Sequence, residues 1–387
     1  MRYISSVKEL WAGRDAPPLA CLKIYGCQQN EADGDRLRGM LAAMGYGLTD
    51  DRALADLLVI NTCAVREHAE KRVLGHLGAY LHEGKPGQLI ALCGCMAQRP
   101  EVQALVKRSY RQVSLVFGPG ELARFPEYLY LLLSDGGRQF YKTDPTAPIA
   151  EDVPVLRAPP PRAYVSVMTG CDNFCSYCIV PYVRGRERSR PPEAVLREIE
   201  GLIADGYSEI WLLGQNVNSY KPDFPALLRA AAALPGDFTL RFMTSHPRDA
   251  TDGLFAAMRD CEKIAPFLHL PVQSGSDEVL RAMNRGYTRA RYMELIAAAR
   301  WAVPHLNITS DIIVGFPGET EADFEDTLDL LRRVRFNSLF TFIYSARAGT
   351  PAAQMEPTSR SEEISGRFER LLATQKEIER ELPQQLQ

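Results

Sequence analysis

Near-continuous apolar runs, separated by amphipathic stretches, fill the first third of this 387-residue chain. Unbroken apolar runs are typical of parallel strands buried on both faces, and a 3.6-residue periodicity between them is typical of helices. Their alternation predicts an α/β domain over residues 1–142, built as a doubly wound parallel sheet. The predicted strands cover residues 19–26, 54–62, 88–94 and 113–118, and the predicted helices cover 31–44, 67–81 and 121–133.

A proline-rich segment interrupts this alternation. Six prolines lie between Pro145 and Pro161, and proline neither continues a helix nor belongs in a central strand, so residues 143–162 are predicted to be a linker. Six further strand and helix units predict a partial (β/α)6 barrel over residues 163–359, with its chemistry at the C-terminal ends of the strands. A charged helical tail is expected over 360–387. The predicted barrel strands cover 163–168, 209–214, 239–244, 267–272, 306–315 and 338–344, and the predicted helices include 192–204, 276–283 and 321–335.

The charge balance and the terminus narrow the class of protein. Lysine and arginine total 45 against 48 acidic residues, for a net charge of -3, so any polyanion must be met by a local basic patch. The N-terminus, MRYISSVKELWAGRD, carries charges where a signal peptide has an apolar core, and no segment reaches the roughly 18 apolar residues of a membrane span. We expect a cytoplasmic monomer without membrane contact. In a reducing compartment its nine cysteines are expected to be metal ligands or redox groups rather than disulfides.

Cys171, Cys175 and Cys178, here called the loop cysteines, follow the first predicted barrel strand in the sequence GCDNFCSYCIVP. A barrel of this kind places its functional loops at that end of the strand. A structural zinc site takes four ligands, and no nearby cysteine or histidine supplies a fourth. An iron-sulfur cluster tolerates three protein thiolates when one iron is left to another ligand. The spacing therefore favours a cluster over zinc or a purely structural role.

Cys27, Cys63 and Cys95, here called the strand-end cysteines, each come directly after the apolar run of a different predicted strand. The carboxyl ends of neighbouring parallel strands face one crevice, so three thiolates are predicted to converge there. Three unrelated buried cysteines are the alternative. Cys93 competes with Cys95, because residues two apart on a strand share a face; Cys95 is preferred because it lies nearer the strand end. The cysteines interpreted as structural are Cys21, inside a strand, and Cys261, in a charged stretch.

The CxxxCxxC pattern of the loop cysteines resembles that of the radical S-adenosylmethionine (SAM) superfamily. In that family SAM chelates the open iron, and one electron from the cluster cleaves it to a 5′-deoxyadenosyl radical. The resemblance implies that LLGQN (212–216) meets the SAM amino group and that DIIVGFPGE (311–319) and an aromatic residue lie beside the adenine. A strand-end glycine followed by polar residues is also typical of a plain turn. The cofactor-binding residues implied are Tyr177, Gly214, Gln215, Asn216, Gly315 and Pro317.

Two three-cysteine sites on consecutive domains resemble one radical SAM subgroup, the methylthiotransferases. YGCQQNEAD, NTCAVRE and GCMAQ are similar to the subgroup's N-terminal domain. TGCDNFCSYCIVPYVRGRERSRP, TSHP, LPVQSGSDEVLRAMNRGYTR and DIIVGFPGETEADF are similar to its barrel. Within the subgroup, NTCAVRE together with LLGQNVNSY resembles the MiaB type, which acts on tRNA.

The resemblance implies a tRNA-modifying enzyme that uses two 4Fe-4S clusters and SAM. One SAM would methylate a sulfur attached to the cluster of the strand-end cysteines, and a second SAM would be cleaved at the cluster of the loop cysteines. The radical would activate C2 of N6-isopentenyladenosine at position 37 of tRNA, beside the anticodon, and the methylthio group would be transferred there. An aromatic C–H offers no acidic proton for acid-base catalysis, so a radical initiator and a sulfur source are both needed. An electron-donor protein is implied as a partner.

An arginine-rich segment, VRGRERSRP (183–191), follows the loop cysteines. A charge run is commonly a solvated face, but its place at the mouth of the predicted site favours contact with RNA phosphates or with the SAM carboxylate. Polar residues at the ends of the second and third barrel strands are further candidates, with capping or structural roles as the alternatives. The residues predicted to meet RNA or substrate are Arg184, Arg186, Arg188, Arg190, Asn218 and His246.

Methylthiotransferases normally end in a small RNA-binding β-barrel, the TRAM domain, and this chain stops at Gln387, where that domain would begin. With a net charge of -3, we therefore expect weak, salt-sensitive tRNA binding. One alternative is a sister methylthiotransferase acting on N6-threonylcarbamoyladenosine in tRNA or on a ribosomal-protein aspartate. The resemblance disfavours it, because those enzymes tend to carry other residues where this chain has QNVN (215–218). The other is a non-catalytic metal-cluster protein that binds RNA, which would leave the SAM-like segments without a role.

Overall fold

The computed structural model describes residues 2–64, 67–141, 149 and 151–382, without the side chains of 67–69, 71 and 81–83. The chain divides into two compact units. The first unit comprises Met1–Pro159 and Val180–Arg186, and the second comprises Pro160–Ile179 and Glu187–Gln387. The predicted linker lies partly outside the described residues, as does the end of the predicted tail. Along the described part of the chain, no helix is both long and apolar enough to cross a membrane.

The first unit alternates helices with the strands of one parallel sheet. Its elements are α1 (Arg2–Glu9), β1 (Leu19–Ile24), α2 (Gln28–Ala43), β2 (Gly47–Leu48), β3 (Leu57–Thr62), α3 (Glu67–Glu83), β4 (Leu89–Gly94), α4 (Pro100–Ser109), β5 (Val113–Phe117), α5 (Phe125–Asp135), β6 (Gln139–Tyr141) and α6 (Val180–Arg184). The strand order is β2-β1-β3-β4-β5-β6, and every neighbouring pair is parallel. The predicted doubly wound sheet is confirmed. The two edge strands, β2 and β6, were not predicted because two or three residues carry no readable pattern.

Successive strand residues of this sheet enter two different cores. Val59 packs with residues of α2 and α5 on one face, whereas Ile60 packs with residues of α3 and α4 on the other. Both faces of the sheet need apolar side chains. The strands are therefore unbroken apolar runs rather than alternations of apolar and polar residues. All six residues of β3 are buried.

The second unit is a partial barrel. Its elements are β7 (Arg162–Ser166), β8 (Met168–Thr169), β9 (Arg188–Ser189), α7 (Pro192–Ala204), β10 (Glu209–Leu213), α8 (Phe224–Ala232), β11 (Thr239–Phe242), α9 (Asp252–Asp260), β12 (Phe267–His269), α10 (Asp277–Ala282), α11 (Arg289–Ala302), β13 (Asn307–Val314), α12 (Glu321–Val334), β14 (Ser338–Ile343) and α13 (Ser361–Glu381). Six of the strands run parallel in two groups, β7-β10-β11 and β12-β13-β14. A parallel bridge between Leu240 and Ile264 leads from the first group towards the second. The predicted α/β class with a partial barrel is confirmed.

Three details differ from the expected organisation. The strand predicted over 267–272 ends at His269, because Pro271 has no N–H to donate to a ladder. The predicted tail forms α13, whose Leu371 is fully buried in the main core of the barrel unit, so it is part of that unit. Residues 180–186 belong to the first unit although they lie within the predicted barrel range; Val183, in α6, is only 2% exposed.

Candidate functional site

The strand-end cysteines lie at one edge of the first unit's sheet. Cys27 is the N-cap of α2, after β1, while Cys63 and Cys95 each follow directly after β3 and β4. Since β3 pairs with both β1 and β4 in parallel, the three carboxyl ends are adjacent. Cys63 and Cys95 are 2% and 3% exposed, and Cys27 is partly exposed. The fold therefore brings these cysteines to neighbouring strand ends, and their role as cluster ligands stays a prediction.

Two glycines allow the backbone to approach at this edge. Gly26 has a φ of +149°, and a Cβ there would come within 2.8 Å of the Cys63 Cβ. Gly94 has a φ of +89°, and a Cβ there would come within 2.4 Å of the Thr62 carbonyl oxygen. Contacts below 3.0 Å cannot be accommodated without displacement. A glycine before Cys27 and another before Cys95 are thus required to bring the cysteine-bearing loops together.

Buried amides hold the loops from beneath. The Asn30 side-chain NH2 donates to the Asn61 Oδ1 at 3.2 Å and to the Thr62 carbonyl at 2.9 Å. The Asn61 side chain returns a 2.9 Å bond to the Asn30 carbonyl, and the Cys95 N–H donates to the Thr62 carbonyl at 2.9 Å. Asn30 and Asn61 are at most 1% exposed. Satisfied buried amides of this kind fix a geometry, because each unmade bond would cost about 1–3 kcal/mol.

A buried cation touches this group of thiols. The Arg184 Nε donates to the Cys95 Sγ at 3.1 Å, and its terminal NH2 pairs with the Asp33 carboxylate at 2.8 Å. A hydrogen bond from Cys63, together with the Arg184 charge, lowers the pKa of Cys27 to about 6 despite its burial. Burial raises the pKa of Cys95, and Arg184 opposes that rise. One arginine thus favours the thiolate form, which is the form that binds metal.

Three thiols are a donor set that an iron-sulfur cluster accepts. Among the described residues, no group of three His, Cys, Asp or Glu side chains is arranged to hold one metal ion. In a cubane cluster each cysteine binds a different iron, so its ligands need not converge on one point. Cys93 lies in β4, packs in the core with Leu115, and has a pKa that burial raises well above the usual value. Cys93 is therefore part of the apolar core, whereas the Cys95 sulfur accepts a hydrogen bond from Arg184.

In the second unit the loop cysteines occupy a tightly tethered turn after β8. The Ser176 N–H donates to the Met283 carbonyl at 3.0 Å, and its hydroxyl donates to the Ala282 carbonyl at 2.8 Å. The Asn284 side chain donates to the Phe174 carbonyl at 3.0 Å. Burial raises the pKa of Cys171 to about 11. The end of α10 therefore fixes the loop across 106 residues of sequence.

A second buried arginine touches this loop. The Arg285 guanidinium donates to the Cys175 Sγ at 3.3 Å, to the Tyr177 hydroxyl at 3.4 Å and to the Pro271 carbonyl at 2.6 Å. Its Nε donates to the Tyr287 hydroxyl at 3.0 Å. Arg285 is 4% exposed. In each group of three cysteines, a buried guanidinium thus donates to a cysteine sulfur.

The residues predicted to bind SAM lie around the same loop. The Gln215 Oε1 accepts a 2.6 Å bond from the Gly170 N–H, next to the first loop cysteine. Asn216 donates to Asp249 at 2.7 Å, but its buried Oδ1 has no partner among the described residues. A Cβ at Gly214 would come within 2.6 Å of Met168. Gln215 therefore orients the loop, and Asn216 offers an unused acceptor.

The remaining predicted SAM residues line the ends of β13 and the loop. Tyr177 packs against an apolar cluster that includes Ile313 and Phe316. Gly315 has a φ of +74° and donates to the Glu319 carboxylate at 2.7 Å. Pro317, two residues on, is buried. Whether these residues contact SAM stays a prediction.

His246 follows β11 in a buried setting with one unused nitrogen. Its Nδ1 accepts from the Arg248 N–H at 3.1 Å, so the ring proton is on Nε2. That Nε2 has no partner among the described residues. Burial, with the Arg285 and Arg248 charges, lowers the pKa of His246 to about 2. The imidazole is therefore a neutral donor across the physiological range.

Three of the predicted RNA contacts are used internally. Asn218 accepts from the His246 N–H at 2.8 Å and donates to the His246 carbonyl at 2.9 Å, so both ends of its amide clamp the backbone. Arg190, 4% exposed, pairs with Glu198 at 2.6 Å. Arg184 is 6% exposed against Asp33 and Cys95. Each of these three side chains makes buried hydrogen bonds within the protein, and its contact with RNA stays a prediction. Of the other two arginines, Arg186 is exposed and Arg188 is partly buried.

The most informative residues that sequence reasoning missed are Arg285, Asp33 and Asn30. Asn30 and Asp33 lie in YGCQQNEAD, three and six residues after Cys27. On a helix that starts at Cys27, a separation of three places Asn30 near the side of the cysteine, a signal that was available. A separation of six turns Asp33 about 120° away from it, so spacing alone does not single out Asp33. Arg285 lies 110 residues from the cysteine it touches, and nothing local distinguishes it from its charged neighbours.

Two family models match this chain. Residues 165–331 match the radical SAM superfamily, and residues 20–118 match the uncharacterized protein family UPF0004. The first match contains the loop cysteines and the second contains the strand-end cysteines. Each site therefore lies within a separately recognised domain.

Solved structures of similar fold are radical SAM enzymes. The radical S-adenosylmethionine methyltransferase TsrM from Kitasatospora setae aligns with a TM-score of 0.63 and 14% identity, over 87% of this chain and 74% of that one. The cobalamin-dependent S-adenosylmethionine radical enzyme OxsB aligns with a TM-score of 0.59 and 13% identity, over 96% and 57%. At such low identity these likenesses bear on the fold alone.

Sequence relatives are much closer. A tRNA-2-methylthio-N(6)-dimethylallyladenosine synthase from Acetivibrio thermocellus is 49% identical over 98% of this chain and 82% of its own length. A protein of the same name from Caldicellulosiruptor saccharolyticus is 48% identical over 94% of this chain and 79% of its own length. With both groups of cysteines at strand ends and close relatives over nearly its whole length, this chain belongs to the radical SAM methylthiotransferase family, among its tRNA-2-methylthio-N(6)-dimethylallyladenosine synthases.

Proposed function

We propose that this chain transfers a methylthio group to C2 of N6-isopentenyladenosine at position 37 of tRNA, with one SAM as methyl donor and a second as radical source. The observation that carries the proposal is the presence of two three-cysteine groups, in each of which an arginine donates to a sulfur, together with 49% identity to a synthase of that name.

The residues around the loop cysteines fit a 4Fe-4S cluster with SAM. Three thiols leave one iron to another ligand. Within the described part of the chain, the buried Asn216 Oδ1 and the His246 Nε2–H have no hydrogen-bond partner. The first is a suitable acceptor for an ammonium group such as that of SAM, and the second is a suitable donor to an oxygen. Because the His246 pKa is depressed, that donor would stay neutral and hold its ligand without exchanging protons.

The strand-end cysteines are proposed to hold the second 4Fe-4S cluster. When bound, the cluster of the loop cysteines would supply the electron that cleaves SAM, and the second cluster would supply the sulfur that is methylated and transferred. Arg184 would donate to a ligand sulfur and offset part of the negative charge of the thiolates. Hydrogen bonds to cluster sulfurs and burial are the levers by which a protein sets cluster potential.

Contact with tRNA is proposed for Arg186, which is exposed, and Arg188, which is partly exposed. Phosphate contacts of this kind position an RNA without reading its sequence. An electron-donor protein is a further proposed partner, because SAM cleavage consumes one electron, and the chain is proposed to act as a monomer.

The test is an anaerobic assay of the iron- and sulfide-reconstituted chain with SAM, a reductant and isopentenylated tRNA. Nucleosides and 5′-deoxyadenosine are measured by mass spectrometry, and iron by metal analysis. We expect about eight irons per chain, from two cubane clusters, and a 2-methylthio product. Cys27→Ala should hold about four irons and still cleave SAM, but should form no methylthio product. Cys175→Ala should abolish SAM cleavage.

Cys93→Ala is the matched control for the strand-end cysteines, because it removes a buried thiol two residues from Cys95 that faces the core. It should keep both iron content and product. Full iron loading without SAM cleavage would refute the enzyme. SAM cleavage with threonylcarbamoyladenosine or a ribosomal protein as the methylthiolated product would replace the proposed substrate.

A further inference from the structure

The last barrel strand, β14, carries exposed large apolar side chains. Registered neighbours of a parallel sheet lie on the same face, and Ile308, Ile312 and Leu339 face the main core beneath the surrounding helices. The alternate residues face the other way; on β13 two of them, Thr309 and Ile313, are buried. Two others are phenylalanines of β14, Phe340 and Phe342, which are 45% and 39% exposed. Large apolar side chains that are exposed next to one another are typical of binding sites rather than of plain surface.

Polar groups stand directly beside these rings. Asp311 is the register partner of Phe340, so the carboxylate and the ring project from strands about 4.8 Å apart. The His269 Nε2 lies 3.4 Å from an Asp311 oxygen, and its Nδ1 lies 2.9 Å from the Thr309 hydroxyl. The His269 ring packs edge-on against Phe340, with centroids 5.7 Å apart. An acceptor therefore sits next to an apolar wall.

The same face continues into the proposed SAM site. Ile313 is the register partner of Phe342 and belongs to the apolar cluster against which Tyr177 packs, within the cysteine loop. Asp311 lies three residues before the end of β13 at Val314, which corresponds to about 10 Å of strand. That depth is comparable with a purine base that carries a five-carbon substituent.

We propose that this face receives the target base, with the N6-dimethylallyl group against Phe340 and Phe342 and the N6–H donated to Asp311. The inference rests on the proposed function and deepens it. An N6-alkylated adenine carries one hydrogen and one apolar group on the same nitrogen, so it requires an acceptor and an apolar surface side by side. The registered pair of Asp311 and Phe340 supplies both.

The test compares two anticodon stem-loop RNAs, one with N6-dimethylallyladenosine at position 37 and one with plain adenosine. Equilibrium binding to the reconstituted chain and kcat/KM for methylthiolation are measured for each. The wild-type chain should favour the dimethylallyl RNA by about tenfold to a hundredfold, as apolar pockets discriminate small alkyl groups. Phe340→Ala and Phe342→Ala should reduce that ratio to about threefold or less, and Phe340→Leu should keep most of it.

Trp301→Ala is the matched control, because it deletes an aromatic side chain that is 84% exposed and remote in sequence from the proposed face. It should leave the ratio unchanged. An RNA whose N6 nitrogen carries both a methyl and a dimethylallyl group lacks the N6–H and should bind more weakly than the dimethylallyl RNA. Because Phe340 and Phe342 are themselves half exposed, their truncation should leave circular dichroism and thermal unfolding close to wild type.

Two results would overturn the inference. One is a wild-type preference that survives both alanine variants. The other is a raised KM for SAM in those variants, measured by deoxyadenosine formation, with the RNA preference unchanged; SAM would then occupy the face. Failure of the proposed function looks different, since the wild-type chain would then form no methylthio product on dimethylallyl RNA.

Discussion

Replacing Arg184 with methionine should destabilise the first unit of the iron-free protein by about 3–5 kcal/mol. The guanidinium and the Asp33 carboxylate form a 2.8 Å pair with side chains 6% and 11% exposed. Methionine matches the length of the arginine stem but leaves the carboxylate buried without its partner. Removal of one member of a buried pair costs this much because the remaining charge keeps its desolvation penalty. Against a typical stability of about 5–15 kcal/mol, the loss is large.

Amide hydrogen exchange is the suitable assay, because the two units need not unfold together. Peptides from β1, β3 and β4 report opening of the first unit. A loss of about 3–5 kcal/mol corresponds to exchange faster by roughly a hundredfold to several thousandfold. Arg186→Met, two residues along the same segment and exposed, should change the free energy of opening by less than about 0.5 kcal/mol.

The double variant Arg184→Met/Asp33→Asn tests why the loss of Arg184 is destabilising. If the cost of Arg184→Met arises from the unpaired carboxylate, adding Asp33→Asn should recover much of it, so the two single effects should not add. Exchange within threefold of wild type in Arg184→Met, or strictly additive effects, would refute the reasoning. The arginine would then contribute through its bond to Cys95 or not at all.

Three further predictions follow from local features. Gly26→Ala should destabilise the first unit by about 1–3 kcal/mol, and should lower iron incorporation at the strand-end cysteines, because its Cβ meets Cys63 at 2.8 Å; unchanged thermal unfolding and iron content would contradict this. In the iron-free protein, alkylation of Cys27 by iodoacetamide should rise with a midpoint near pH 6, the value to which its pKa is lowered; a midpoint near 9 in peptide mass analysis would exclude the depressed pKa. Burial raises the pKa of Glu319 from 4.5 to about 7. The folded state therefore binds more protons than the unfolded state between these values, and the stability of the second unit should fall by about 3 kcal/mol as pH rises from 4.5 to 7. In denaturant titrations, Glu319→Gln should reduce the change of unfolding free energy with pH. If the variant and the wild type lost the same stability between pH 4.5 and 7, Glu319 would not be the group responsible.

The sequence alone determined the architecture and the positions of the six cysteines. Apolar runs of strand length, repeated with helices between them, leave a parallel sheet as the economical way to bury both faces. Once such a sheet is accepted, a cysteine directly after each of three strands must lie at its carboxyl edge. The choice of Cys95 over Cys93 also followed from position along the strand, and the structure places Cys93 in the core.

The arginines show what sequence could not decide. Arg184, Arg186, Arg188 and Arg190 form a uniform basic run, yet Arg184 and Arg190 are buried whereas Arg186 is exposed. The partner of Arg184, Asp33, is 151 residues away, and Arg285 touches a cysteine 110 residues away. Local periodicity carries no information about pairs at such separation, because they are set only when distant elements pack.

The exposure of Phe340 and Phe342 on β14 also depends on tertiary structure. The sequence SLFTFIY predicted a strand, and alternation along it was readable. The register of β14 against β13 decides which alternate residues face the helices and which face the other way. A shift of one residue would exchange the two sets. The periodicity of the chain thus determined the fold and the edge at which the thiols gather, while long-range packing and strand register decided which charges are buried and which rings remain open to a substrate.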